Sequence, residues 1–243
     1  MNRGSLHRLM RRKSTIAFLM TLPLLLLIAV LAKALIGFWL AHMLHHIPTK
    51  GQRKWRGMLL VPWVIPAAMS MLGWRLLFEP SFGAFNWGLE HFGLGRIFWL
   101  GEAGWARFCV ILVTVWFGAP FFMVMLLASL KSVPEELHEA ASIDGATWWQ
   151  RIRYVTFPMM RNVIAITMLF SLITTFAGFT IVSMLTGGGP MGATQVLGTS
   201  AFFIGIMGGN LPMGAAISLF MVPILAVAAV FILRGIAKRG NEA

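Results

Sequence analysis

The stretch HEAASIDGATWWQRI, residues 138–152, sets Glu139 and Asp144 around the small residues Ala140 and Ala141, then adds Gly145 and Trp148 within a few positions. These residue types suit contact with another protein more than bond-making. Two carboxylates can meet a partner's donors, small side chains let a partner approach closely, and a Trp can pack the segment onto its own chain. A second group lies in the apolar run from 159 to 185, where Thr167, Ser171, Thr174 and Gly178 recur at helical spacing with Thr175 and Phe179 beside them. Hydroxyls and a ring could hold a hydroxyl-rich solute, but Ser and Thr also serve as packing and hydrogen-bonding residues between membrane helices.

Gly187, Gly188, Gly189 and Pro190 cannot continue a helix, and the charge-free stretch up to Pro212 reads either as a flexible turn or as a loop that dips back or packs on the outer face. His42, His45 and His46 have a spacing that a metal could use, but they sit at the end of an apolar run beside a basic loop, where solvation accounts for them. No metal is expected. The spans contain no carboxylate pair, no His-Glu-x-x-His and no Ser/His arrangement, and the chain has no Gly-x-x-x-x-Gly-Lys-Ser/Thr phosphate loop. Catalysis and a bound cofactor are therefore not expected.

The elements that must position these residues are membrane helices. Of 243 residues, 58% are hydrophobic and 12% charged, where a soluble domain has about 25% charged. Crossing the hydrocarbon takes about 20 mostly apolar residues, and five runs qualify: 15–45, 57–78, 106–130, 159–185 and 213–234. The net charge of +12 gathers in short loops beside these runs, where it sets orientation, so no nucleic-acid partner is expected. Cys109, the one cysteine, lies inside a run and reads as packing.

Lys50, Arg53, Lys54 and Arg56 place their loop in the cytoplasm, as Arg234, Lys238 and Arg239 place the C-terminal tail. The segment from 79 to 105, with Glu79, Glu90 and Glu102 against Arg96, goes outside, which leaves 131–158 in the cytoplasm. The first run does not fit, since both its flanks are basic and Lys33 interrupts it. Residues 1–45 are accordingly a basic N-terminal segment with an atypical hydrophobic run, and 46–240 the main transmembrane domain. The first run is too long for the apolar core of a cleaved signal.

Within 131–158, Ser132 and Glu135 have the spacing of a capping box, with Pro134 in the first turn, and Asp144-Gly145 ends that helix. Thr147 and Gln150 open a second short helix, which Pro158 separates from the next span. An elbow of two short helices follows. On physical grounds it is either an amphipathic hairpin lying on the membrane surface or a docking segment.

Glu139-Ala140-Ala141, then Gly145, then Val155-Thr156-Phe157-Pro158 resembles the EAA loop of ABC-importer permeases. The stretches 59–89 and 133–160 look like the carbohydrate-uptake class, and LTGGGP at 185–190 is similar to the maltose and glycerol-phosphate permease type. The resemblance implies an all-α bacterial inner-membrane subunit importing a sugar or a related polyol or glycerol-phosphate-like solute. Its implied partners are a second permease, two ATP-binding subunits and a periplasmic or extracellular solute-binding protein that touches the chain near Gly187–Pro190. It assigns ATPase coupling to Glu139, Ala140, Ala141, Asp144, Gly145 and Trp148. Family members have six core spans; here residues 14–30 resemble the start of the first helix and 32–44 the end of the second, without the outer loop between them. The alternatives are an ion-coupled carrier, which the lack of Asp and Glu in the last three spans disfavours, and a membrane assembly partner without transport activity.

Overall fold

A computed structural model describes residues 26–240, and no strand occurs among them. The helices are α1 (Leu26–His45), α2 (Thr49–Val64), α3 (Ala67–Leu77), α4 (Ala84–His91), α5 (Ala103–Lys131), α6 (Glu135–Ile143), α7 (Trp148–Arg151), α8 (Phe157–Phe176), α9 (Phe179–Leu185), α10 (Leu197–Phe202) and α11 (Leu211–Gly240). Four described helices are long and apolar enough to cross a membrane, and α2 with α3 makes a fifth if that interrupted pair is one span. The all-α membrane class expected from the sequence is the class observed. Of the basic N-terminal segment and the first apolar run, everything before residue 26 lies outside the described residues.

Several boundaries differ from expectation, each for a local reason. The run at 57–78 is interrupted at Ile65-Pro66: Ile65 is extended (φ −66°, ψ 135°), as a residue before proline prefers to be. The run at 159–185 stops at Phe176 and resumes at Phe179, with Gly178 outside both helices (φ −60°, ψ 69°). Thr167, Ser171 and Gly178 therefore do not share one continuous helical face. The segment after Pro190 is not all loop, since it contains α10 and a π-helical turn, Phe203–Met207. The expected outer loop likewise contains α4.

By internal contacts the chain divides into two units. The elbow unit holds Val30–Ile65, Val115–Ile173 and the chain from Val222. Its core joins Ala41 and Leu44 of α1, Phe122, Met123, Leu126, Leu127 and Leu130 of α5, and Met160 of α8. Between membrane helices such contacts hold by close packing rather than by escape from water. Lys33, which interrupts the first apolar run, is 4% exposed, and its stem crosses Gly118 of α5, where no side chain stands in the way.

The second unit holds Pro66–Thr114 and Thr174–Met221, with residues 26–29. Met71, Phe78, Trp99, Cys109, Val113 and Leu185 form its main core, which bears out the packing role read for Cys109. In the same unit the π-helical turn after α10 meets α11 at Gly205 and Gly214; a Cβ on Gly214 would stand 2.5 Å from the Gly205 Cα, so neither position has room for a side chain.

Asn86 of α4 organises the chain from 80 to 99. Its amide donates to the Pro80 and Ile97 carbonyls at 3.2 and 3.0 Å, and its oxygen accepts from the Ile97 amide at 3.1 Å and the Trp99 indole at 3.0 Å. The side chain is buried, so removing it strands four groups. Asn86→Ala should lower unfolding stability in detergent by about 2 kcal/mol or more, read as a fall in melting temperature. An unchanged melting temperature would mean that Asn86 does not hold this segment.

Candidate functional site

The elbow grows from the end of α5, and its starting point is fixed by a polar junction inside the elbow unit. Gln52 of α2 is 3% exposed; its Nε2 donates to the Leu44 carbonyl at 2.7 Å, and its Oε1 accepts from the Lys131 ammonium at 2.5 Å. One side chain thereby ties the end of α1 and the end of α5 to the first turn of α2. The Leu44 carbonyl, in the last turn of α1, also accepts from the Ile47 amide at 3.2 Å, so the Gln52 bond fills its second acceptor position.

The expected capping box at Ser132 does not form. Ser132 Oγ donates backward to the Ser129 carbonyl at 2.8 Å, and Pro134, in an extended conformation, is the residue before α6. The carbonyls ending α5 compete successfully for the hydroxyl, and proline excludes the helical conformation from the residue before it. Glu135 and Glu136 still fill the first turn of α6, where the helix dipole favours negative charge.

The end of α6 follows expectation. Gly145 has φ +75°, its amide donates to the Ser142 carbonyl at 3.1 Å, and the Ala146 amide reaches back to the Ala141 carbonyl at 2.9 Å. This is a Schellman stop, which needs the left-handed conformation that glycine adopts without strain. Two residues later the second capping box closes: the Thr147 amide donates to Gln150 Oε1 at 2.7 Å and the Gln150 amide to Thr147 Oγ1 at 3.4 Å. A stop and a start this close leave a stiff bend.

Pro158 does not separate the elbow from the next span as expected. From Trp148 the chain continues through a π-helical turn, Ile152–Thr156, into α8. Proline lacks an amide hydrogen and crowds the carbonyl four residues earlier, and a widened turn just before it accommodates both effects. The elbow is therefore continuous with a membrane-length helix. Trp148 packs against His42 of α1 at 5.3 Å between ring centroids, and Phe157 against Phe38 of α1 at 5.4 Å. Of the Trp pair, Trp148 turns toward the unit's own helix while Trp149 is 71% exposed.

The outward part of the elbow is bare. No residue of α6 is buried: Glu139 and Ala140 are exposed, Ala141 is half-buried, and Ile143 is 87% exposed. Asp144 and Gly145 are exposed at the bend.

Of the solute candidates, Ser171, Thr174 and Thr175 fall within about one turn of α8, and Phe179 opens α9. Ser171 is buried in the elbow unit, whereas Thr174, Thr175 and Phe179 belong to the second unit. Thr167 donates to the Val163 carbonyl of its own helix at 2.6 Å, which favours its packing reading. Phe179 stacks near Phe202 at 4.8 Å and borders an apolar cavity of about 490 Å³ lined also by Gly198, Ala201, Gly205, Gly214 and Ser218. The turn at Gly187–Pro190 is well bonded: Thr186 and Thr194 hydroxyls lie 2.7 Å apart, Thr194 Oγ1 donates to the Gly189 carbonyl at 2.7 Å, and Arg107 Nε donates to the Ala193 carbonyl at 3.0 Å. Met191, at its tip, is fully exposed. His42 and His46 approach to 3.3 Å between Nε2 atoms, and no set of three metal-ligating side chains occurs among the described residues.

Residues 13–239 match the family described as binding-protein-dependent transport system inner membrane component. The chain belongs to this family. The permease is 35% identical over 191 residues to a trehalose/maltose transport system permease protein, MalF, of Thermococcus litoralis, covering 78% of this chain and 64% of that one. It is 30% identical over 193 residues to the galactooligosaccharides transport system permease protein GanP of Bacillus subtilis, covering 76% of this chain and 46% of that one. The permease thus spans about two thirds of the first relative's length and under half of the second's. In fold it is similar to a chain of a bacterial alginate ABC transporter solved with an alginate pentasaccharide-bound periplasmic protein, at TM-score 0.75 and 25% identity, covering 86% of this chain and 74% of that one. The resemblance read from the elbow motif is borne out at the level of the family, and the chain is a multi-pass membrane protein of a transport family.

Sequence reasoning missed Gln52, Lys131, Asn86 and Arg107. Gln52 left a faint signal as the one uncharged polar side chain within KGQRKWR. Replacing it with Leu removes its bonds to the Leu44 carbonyl and the Lys131 ammonium and should loosen the root of the elbow. Hydrogen exchange of amides 131–143 is expected to rise about tenfold in Gln52→Leu, the equivalent of one charged hydrogen bond. Unaltered exchange would show that the elbow is rooted elsewhere.

Proposed function

We propose that this permease is the transmembrane subunit of a binding-protein-dependent importer that moves a sugar, or a related polyol or glycerol-phosphate-like solute, by alternating access driven by a separate ATP-hydrolysing subunit. The observation that carries this reading is the contrast within the elbow. Helix α6 has no buried residue, yet the α5 end from which it grows is tied to α1 and α2, and past the bend the chain runs from Trp148 unbroken into α8. A bare helix on a stiff mounting suits a part that another protein grips and moves.

On this reading an ATP-binding subunit receives α6 in a groove, with Ala140 and Ala141 allowing close approach, Glu139 supplying a polar contact and Ile143 its apolar anchor. The Schellman stop at Asp144-Gly145 holds α6 at a set angle to Trp148, and Trp148 and Phe157 pass displacement to His42 and Phe38 of α1. Closure of two ATP-binding subunits on nucleotide would shift the permease between its inward-open and outward-open states. The elbow and C-terminus are then cytoplasmic, in a bacterial inner membrane. The most apolar stretch of α11 has no buried residue, which suits a surface covered by lipid or by a second permease. We assign solute contact to Ser171, Thr174, Thr175 and Phe179, and contact with a solute-binding protein to the turn at Gly187, Gly188, Gly189 and Pro190, where Met191 projects.

A side chain at Gly145 meets no atom within 4 Å, so its effect comes from backbone strain at φ +75° rather than from a clash. Gly145→Val strains the stop by about 1–2 kcal/mol. In proteoliposomes containing the full transporter and its binding protein, solute-stimulated ATP hydrolysis should fall about tenfold, while membrane insertion is unchanged. Undiminished coupling in Gly145→Val, or uptake that persists without ATP and collapses with an ion gradient, would overturn the reading.

A further inference from the structure

We propose that the first two and a half turns of α2 bind the headgroup of an anionic phospholipid in the leaflet that Lys50 faces. The inference rests on α2 entering the bilayer and not on what the permease carries. Gln52, buried and bonded to Leu44 and Lys131, fixes which side of α2 turns inward. At about 100° per residue, Lys50 and Lys54 stand on the opposite side with Arg53 at its flank, and all three are exposed. The same side continues with Gly57, where an added side chain would meet no atom within 4 Å, and then with Val61 and Val64, 49% and 71% exposed. Along one stripe the helix therefore presents cations, an open notch and apolar side chains, over about 10 Å from Lys54 to Val61. That is the order of phosphate, glycerol and acyl chain in a lipid.

No Asp or Glu occurs before Glu79, and the ion pair of Arg96 with Glu90 does not involve these cations. Lys50, Arg53, Lys54 and Arg56 make no hydrogen bond or ion pair within the described residues. Trp55, half exposed among them, is a side chain that favours the headgroup layer. Clustered cations beside a membrane entry attract acidic lipid, and the inward hold of Gln52 keeps three of them on one face.

The test uses the purified full chain in detergent, titrated with phosphatidylglycerol or phosphatidylcholine and read by native mass spectrometry and by melting temperature. Phosphatidylglycerol should be retained in preference to phosphatidylcholine, should raise the melting temperature, and should lose its hold as salt rises. The triple variant Lys50→Gln, Arg53→Gln, Lys54→Gln should weaken retention at least about tenfold and abolish the lipid-dependent rise, while its lipid-free melting temperature matches that of the parent. A control that removes the same charge from exposed sites, Arg75→Gln, Arg153→Gln and Arg234→Gln, should retain the lipid. Equal retention of the two lipids, or retention by the triple variant equal to the parent's, would overturn the proposal. A triple variant that keeps phosphatidylglycerol but no longer captures an ATP-binding subunit would assign the cations to that subunit instead. Because the assay involves neither solute nor nucleotide, its failure is separable from failure of the transport reading.

Discussion

The side-chain amide of Gln52 donates to the last-turn carbonyl of α1 and accepts from the ammonium that ends α5, all within the elbow unit. Neither contact is exceptional alone. Together they require that three helix ends keep one arrangement, because moving any of them leaves part of the buried Gln52 amide without a partner. The elbow inherits its position from that requirement. It also fixes the rotation of α2, and so determines which of the neighbouring cations face outward.

The lever proposed for the elbow would need both a firm root and a firm bend, and the chain holds the two by different means. At the root, side-chain polarity holds helices that would otherwise be held by packing alone, since lipid offers helix faces as apolar a surface as their partners do. At the bend, the backbone ends α6 at Gly145 and starts α7 at Thr147 through bonds made within the segment itself. The exposed face of α6 is then free of structural duty. Beyond the bend the π-helical turn accommodates Pro158 without breaking the connection to α8, and the contacts of Trp148 and Phe157 with α1 complete the path into the membrane helices.

Features encoded over a few consecutive residues were legible from the sequence. Apolar runs, the Gly145 stop and the Thr147–Gln150 box all depend on local composition; the stop and the box occur where expected, and the runs mark the membrane-length helices though not their interruptions. Ser132 was misread because its hydroxyl has two local choices, and the carbonyls ending α5 offer the nearer one. The interruptions at Ile65-Pro66 and at Gly178 fall inside runs whose hydropathy alone gives no hint of a break, although both carry a residue that disfavours a helix. Asn86 and Gln52 were out of reach for a different reason. Their partners lie 6 to 13 and 8 to 79 residues away, and no periodicity marks a polar side chain that serves several distant groups. The expected solute face depended on an uninterrupted helix through Gly178, and the break there separates Phe179 from the α8 members Ser171, Thr174 and Thr175.

Disulfide cross-linking of the elbow to its partner tests the central claim most directly. Cys109, the chain's one cysteine, is buried, so a cysteine introduced at Ala140 would be the accessible one. With a cysteine at the rim of the docking groove of the ATP-binding subunit, Ala140→Cys should cross-link rapidly in membranes, and the yield should change when ATP is added, while a cysteine at Phe231, on the exposed face of α11, should not react with that subunit. Absence of any Ala140 cross-link, or a yield no greater than from Phe231, would contradict the account of the elbow as the part that the ATP-binding subunit grips.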